Sequence, residues 1–155
     1  MAGFAPLKIV GAEQLAKLSK RLKETGDKEV KRELYKALNR ATKKPKAEAR
    51  ARALLILPHR GGLAKRVAAS RFTTRNRTTG KGDPSLQLIA KGTANIHGID
   101  KGRVRHPVYG HPDRWVTQPV KAGWFSVPMK ENEKEARREI ATSLADLQSR
   151  LGQRL

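Results

Sequence analysis

Apolar residues recur at helical spacing near both ends of this chain and alternate along its middle, which predicts an α+β order of elements. Over residues 11–24, Leu15, Leu18 and Leu22 fall three and four positions apart, the narrow apolar stripe of an otherwise basic helix. Gly26 and Asp27 then break and restart the chain, with Asp27 placed as an N-cap. The next helix is predicted from about residue 28 to 54, with Val30, Leu34, Leu38 and Ala41 repeating on one face. Pro45 falls inside this pattern, where its missing N–H and its clash with the preceding turn cost about 3 kcal/mol unless compensated. A kink between Thr42 and Pro45 is expected, within one helix and not between two.

Beyond Pro58 the pattern changes. Gly61-Gly62 predicts a turn and residues 63–69 a short helix, while 70–79 is rich in Thr and Arg and reads as an extended ribbon. Residues 80–84 supply a flexible tip. Residues 85–91 form the clearest strand, with Leu86, Leu88 and Ala90 alternating against Gln87, Ile89 and Lys91. Residues 92–102 are expected to be mostly loop, 103–109 a short strand, 110–113 a turn and 114–120 a further strand. Pro107 and Pro119 confine those last strands to edge or terminal positions.

The C-terminal helix, 130–151, is the best signalled element. Pro128 suits its start, Glu131, Glu133 and Glu135 its early turns, where the helix dipole favours acids, and Arg150 its end before Gly152. Ile140, Leu144, Leu147 and Leu151, spaced four, three and four, form its apolar face. The expected fold is therefore α+β: N-terminal helices including a long Pro-kinked one, a small mostly antiparallel sheet with an extended basic ribbon, and a C-terminal amphipathic helix. At 155 residues one domain suffices. Its parts are an N-terminal extension (1–10), a helical part (11–57), sheet and loops (58–129) with the basic ribbon at 66–84, and the last helix.

Charge adds a second signal. Lys and Arg number 34 against 14 acids, a formal +20, and the excess is uneven. Residues 1–58 hold 15 basic and 6 acidic side chains, 59–129 hold 13 and 3, and 130–155 hold 6 and 5. Between Arg60 and Lys81 there are seven basic residues and no acid. Such a stretch repels itself unless it faces a polyanion or an acidic protein, so Arg66, Arg71, Arg75, Arg77 and Lys81 are the candidate residues facing DNA or a partner. With no cysteine there is no disulfide framework, thiolate metal site or catalytic thiol. The first ten residues are too short for a signal peptide's apolar region with its flanks, and no run approaches the roughly 20 apolar residues of a membrane span. A soluble protein with no membrane association is expected.

The aromatic residues are concentrated. Residues 103–127 hold both tryptophans, one of two tyrosines, three of eight prolines and two of four histidines. Aromatics carry large burial energies and Pro and Gly fix a backbone path, so this segment is a docking or core-pinning element. Its candidates are His106, Pro107, Tyr109, Trp115, Gln118, Trp124 and Phe125. His106-Pro107-Val108-Tyr109-Gly110, Trp115-Val116-Thr117-Gln118-Pro119 and Gly123-Trp124-Phe125 together resemble a family of small neck and tail-completion proteins of long-tailed bacteriophages. These are encoded among the head–tail joining genes of lambda-like phages and their actinobacterial-phage relatives. Pro58-His59-Arg60-Gly61-Gly62-Leu63-Ala64 is similar to the Pro- and Gly-bearing turn which that family places between a long helix and the strands. The resemblance covers roughly residues 11–151, and the family often carries a proline in mid-helix. It implies structural work in the virion at the head–tail junction, after assembly in the host cytoplasm, without enzymatic activity. It also implies neighbouring neck and tail proteins as partners, packaged DNA in a central channel, and a homo-oligomeric ring. The six-fold tail tubes of such phages make a hexamer the expected ring.

Catalysis finds little support in the residues themselves. His106, His111 and Asp113 are the obvious metal or acid–base candidates, yet their spacing matches no zinc pattern, and three carboxylates over 59–129 are too few for a two-metal site. Gly80-Lys81-Gly82 lacks the Gly spacing and Lys-Ser/Thr pair of a phosphate loop. No metal or other cofactor is expected. The alternative function is a free basic nucleic-acid-binding protein, which the charge fits equally well. Against it, there is no zinc-finger spacing, no basic-zipper heptad, and no interleaving of aromatics with the densest basic stretch. An adaptor acting on an acidic partner is a third class, which the residues neither favour nor oppose.

Overall fold

The computed structural model describes residues 7–10, 28–77, 85–92 and 95–152. Its elements follow in the order β1 (Leu7–Val10), α1 (Lys28–Ile56), a 3-10 turn (Arg60–Gly62), α2 (Leu63–Ala68), β2 (Arg71–Arg77), β3 (Ser85–Lys91), α3 (Ile96–Asp100), β4 (Arg103–Val108), β5 (His111–Pro119) and α4 (Ser126–Gly152). Helices combine with two small sheets, an α+β fold. The helix expected at 11–24, with its break at Gly26 and Asp27, and the tip expected at 80–84 fall outside the described residues.

Helix α1 runs through Pro45 without ending there. Leu38, Ala41, Thr42, Pro45, Ala49 and Ala53 are buried at three- and four-residue spacing, so the proline lies on the apolar stripe. Pro45 supplies no N–H to the Ala41 carbonyl. In the same turn the buried Thr42 hydroxyl donates to the Leu38 carbonyl at 2.9 Å, which satisfies the one polar side chain on that stripe. The helix ends at Ile56, just before Pro58 and its disfavoured preceding α conformation.

β3 is the central strand of a three-stranded sheet ordered β1-β3-β2. β1 pairs antiparallel with it, Leu7 opposite Leu88 and Val10 opposite Ser85. Residues 7–10, at the end of the segment expected as an N-terminal extension, are thus a strand, which four residues of sequence are too short to reveal by alternation. Within β3 the bounds match expectation, but Leu88, Ile89 and Ala90 are all buried, as befits a central strand covered on both faces. A correction concerns residues 92–102, expected as loop. Asn95 caps the five-residue α3 by accepting the Gly98 N–H at 3.0 Å, and Ile96 and Ile99 are buried one turn apart.

The chain forms two compact units. One comprises, among described residues, Pro45–Thr73 and Ile89–Glu131, and buries Ala49, Ala53, Leu57, Leu63, Ala64, Val67, Ile89, Ala90, Ile96, Ile99, Trp124, Phe125 and Met129. The other contains the first part of α1, the β1 pairing and most of α4, and buries Ala37, Leu38, Ala41, Leu88, Ala136, Ile140, Leu144 and Leu147. In this second unit Lys44 and Glu135 form an ion pair at 2.7 Å. The apolar face expected on the last helix is present at Ile140, Leu144 and Leu147; the Leu151 side chain lies outside the description.

The start of α4 corrects a further expectation. The Met129 N–H bonds the Phe125 carbonyl at 3.1 Å, so the helix begins four residues earlier than 130. Pro128 falls in the first turn, where a missing N–H costs nothing. Glu131, Glu133 and Glu135 then lie past that turn, which contains no acid, and do not complement the helix dipole as expected.

Candidate functional site

The carboxylate that the N-terminus of α4 requires comes from α3. Asp100 Oδ1 accepts the N–H groups of Phe125 at 2.8 Å and Ser126 at 3.0 Å, and the Asp100 carbonyl accepts the Gly123 N–H at 2.8 Å. Trp124, fully buried, donates its indole N–H to the Ile96 carbonyl at 3.4 Å and sits 5.5 Å from the Phe125 ring. Phe125 stacks on Phe72 at 6.0 Å, and the Arg50 guanidinium covers Phe72 at 4.8 Å. Arg52 donates to the Gly123 carbonyl at 2.9 Å. Burial, with Arg50 nearby, holds the Lys46 ammonium below its ordinary pKa.

Gly123 itself has φ +83°, and a Cβ there would lie 2.6 Å from Val127 Cγ2. Gly123→Ala is therefore expected to destabilise this unit by about 1–3 kcal/mol, through strain and overpacking together. A lowered urea midpoint with unchanged slope checks it.

From this anchored base projects an antiparallel hairpin, β4 with β5. The Val120 N–H bonds the Gly102 carbonyl at 2.9 Å and closes its root. Tyr109 and Gly110 make the two-residue tip, where the +76° φ of Gly110 after a Tyr109 without positive φ follows the type II pattern, which favours glycine at the second central position. The turn thus comes earlier than the expected 110–113, and β5 begins at His111. Register places Arg103 opposite Pro119, Arg105 opposite Thr117 and Pro107 opposite Trp115. These six share one face, since side chains alternate along a strand, and all six are exposed. Val104, His106 and Val108 point the other way and are half-buried.

The hairpin carries its apolar surface outward. Among the described residues six large apolar side chains are exposed, and three belong to it: Tyr109, Trp115 and Val116. Trp115 is 54% exposed and Tyr109 fully so, which corrects any core-pinning role for them; Trp124 and Phe125 are the core residues of the aromatic segment. The Arg105 guanidinium lies 5.4 Å from the Trp115 ring centroid, a cation–π pair in solvent. On the other face His106 Nδ1 donates to the Pro107 carbonyl at 2.9 Å, because a carbonyl can only accept, and Nε2 meets the Gln118 amide at 3.3 Å. His106 and Gln118 thus brace the hairpin, while His111 and Asp113 near the tip are exposed. Among the described residues no three His, Asp or Glu side chains are grouped to hold a metal ion.

The basic candidates separate. Arg66 donates to the Gly61 carbonyl at 3.4 Å across the α2 turn. Arg71 is exposed at the start of β2. Arg75 and Arg77 are on β2, with side chains outside the description, and Lys81 is likewise outside it. The expected basic ribbon is, over 71–77, a strand of the three-stranded sheet. Sequence reasoning passed over Arg103, Arg105 and Arg114 in favour of this denser run, although their interleaving with Tyr109 and Trp115 was the available signal. It also passed over Asp100.

Comparison with protein-family models finds no matching family, and comparisons with curated proteins and with solved structures find no match. No described helix is long and apolar enough to cross a membrane.

Proposed function

We propose that this chain is a structural protein of the head–tail junction of a long-tailed phage, a neck or tail-completion component that assembles into a ring, a hexamer, around the DNA channel. The resemblance of the aromatic segment to that family motivates the reading. One observation carries it furthest: the same segment divides into a buried anchor, Trp124-Phe125, and an exposed hairpin bearing Tyr109, Trp115, Arg103 and Arg105. Exposed Trp, Tyr and Arg on a fixed scaffold are the residue types that dominate protein interfaces. A two-stranded hairpin with so little buried surface gains most when a neighbour covers it. Arg71 and the rest of the β2 arginines add positive charge, which ring symmetry multiplies into a collar toward packaged DNA or an acidic neighbour.

Light scattering across salt and protein concentration, with and without purified tails, tests the proposal. A discrete ring, or a monomer that becomes one on those particles, is the expected result. A monomer indifferent to phage particles that binds bare DNA with a steep salt slope would replace it with a free nucleic-acid-binding protein.

A further inference from the structure

We infer that the exposed face of the hairpin seats on the acidic flank of α4 in a second copy of this chain. The inference rests on the ring reading above and names its contact.

The choice of occupant follows from where acid is exposed. Among residues with described side chains, the hairpin's own Asp113 aside, the exposed acids are Glu131, Glu135, Glu139 and Asp146, all on α4. At about 100° per residue these four span roughly 80° of the helix circumference, and Lys130, Lys134 and Arg137 lie on the other flank. Arg138 borders the acidic flank beside Glu131, and Arg150, 4.0 Å from Glu33, borders it beside Glu139. Glu135 is engaged by Lys44, while Glu139 and Asp146 have no ion-pair partner among the described residues. In a chain of formal charge +20, this flank is the described surface that suits the hairpin's arginines.

Three features of the hairpin fit such a seat. Between residues 103 and 119 its cations are Arg103, Arg105 and Arg114, with no lysine. Arg with Trp and Tyr, and without Lys, is the composition of protein interfaces, whereas a phosphate backbone is served by either cation. Arg103 and Arg105, two residues apart on a strand, stand about 6.7 Å apart, and the two unpaired acids Glu139 and Asp146, seven apart on a helix, about 10.5 Å, a difference that long arginine side chains can span. Pro107 and Pro119 lack the N–H groups that edge pairing needs, so the contact uses the face and not the strand edges.

Exposed ion pairs alone are weak, and burial of Trp115 and Tyr109 supplies the remaining attraction. Two hairpins cannot meet across a two-fold axis, because like charges would face one another. The contact therefore joins two different surfaces, and on the ring reading it repeats head to tail, so that oxidation of the cysteine pair gives a ladder where a reciprocal two-fold contact would stop at a dimer.

Charge exchange tests this. R103E/R105E and E139K/D146K, all at exposed positions, are each expected to weaken self-association about tenfold, alone or on purified tails, with the circular dichroism spectrum unchanged. Both pairs of changes in one chain, or an equimolar mixture of the two variants, should restore assembly. Because the chain has no cysteine, Thr117→Cys with Glu139→Cys should give a ladder of disulfide-linked multimers on oxidation. Rings that form regardless of both variants would overturn this contact and leave the ring reading standing. A wild-type chain that stays monomeric, with or without tails, would overturn both. Loss of oligonucleotide binding in R103E/R105E, with self-association unchanged, would make nucleic acid the occupant instead.

Discussion

Trp124→Ala is expected to lower the unfolding free energy by about 3–5 kcal/mol, the cost of removing a large buried aromatic and leaving a cavity. Trp124 has no exposed surface, its indole N–H reaches the Ile96 carbonyl, and its ring lies 5.5 Å from Phe125, itself stacked on Phe72. Its loss also leaves the Ile96 carbonyl without that donor in a buried setting. Trp115→Ala gives the contrasting result. With 54% of its surface already in water, it is expected to cost under about 1 kcal/mol in stability while reducing assembly. Denaturant midpoints of the two variants, set beside light scattering, separate a core tryptophan from a docking one. Equal midpoints would refute the assignment.

Asp100→Ala is expected to cost about 2–3 kcal/mol. Its carboxylate accepts two backbone N–H groups at the start of α4, and a hydrogen bond to a charged group contributes more than a neutral one. Removing it leaves the part-buried Phe125 N–H unpaired and takes negative charge from the positive end of the helix. Asp100→Asn keeps an acceptor oxygen but not the charge, so it should recover roughly half the loss. The ordering Asp, Asn, Ala in urea midpoint, at constant slope, is the check. An alanine variant as stable as the parent would show that solvent satisfies both groups.

Much of the fold was legible because periodicity reports local structure. Helix α1 and strand β3 followed from apolar spacing, and α2 from the Gly61-Gly62 turn followed by Leu63, Ala64 and Val67. The failures have physical reasons. Strand β1 has four residues and is defined by its pairing to β3, which lies more than 70 residues away. Helix α3 is a single turn capped by Asn95, too short for a periodic signal to rise above the glycines beside it. The first turn of α4 was missed because its acid is supplied from Asp100 and not from its own residues.

The candidate site was legible as a segment and not as a set of roles. Sequence concentrated the aromatics between residues 103 and 127, and the alternation of Arg103 and Arg105 with Val104 and His106 was there to be read. Nothing in that order distinguishes Trp115 from Trp124, because burial depends on what the rest of the chain brings to each. Register alone places Arg105 beside Trp115 and gathers the six exposed residues on one face.

By itself, then, the sequence determined the class of the fold, the long helices, the central strand, the basic character and the unusual segment. These depend on the spacing of side chains along one stretch of backbone and on summed charge. Tertiary structure decided which tryptophan is core and which faces solvent, and where the last helix finds its cap. Each of those is a relation between residues far apart in the chain, set when folding removes some groups from water and leaves others in it.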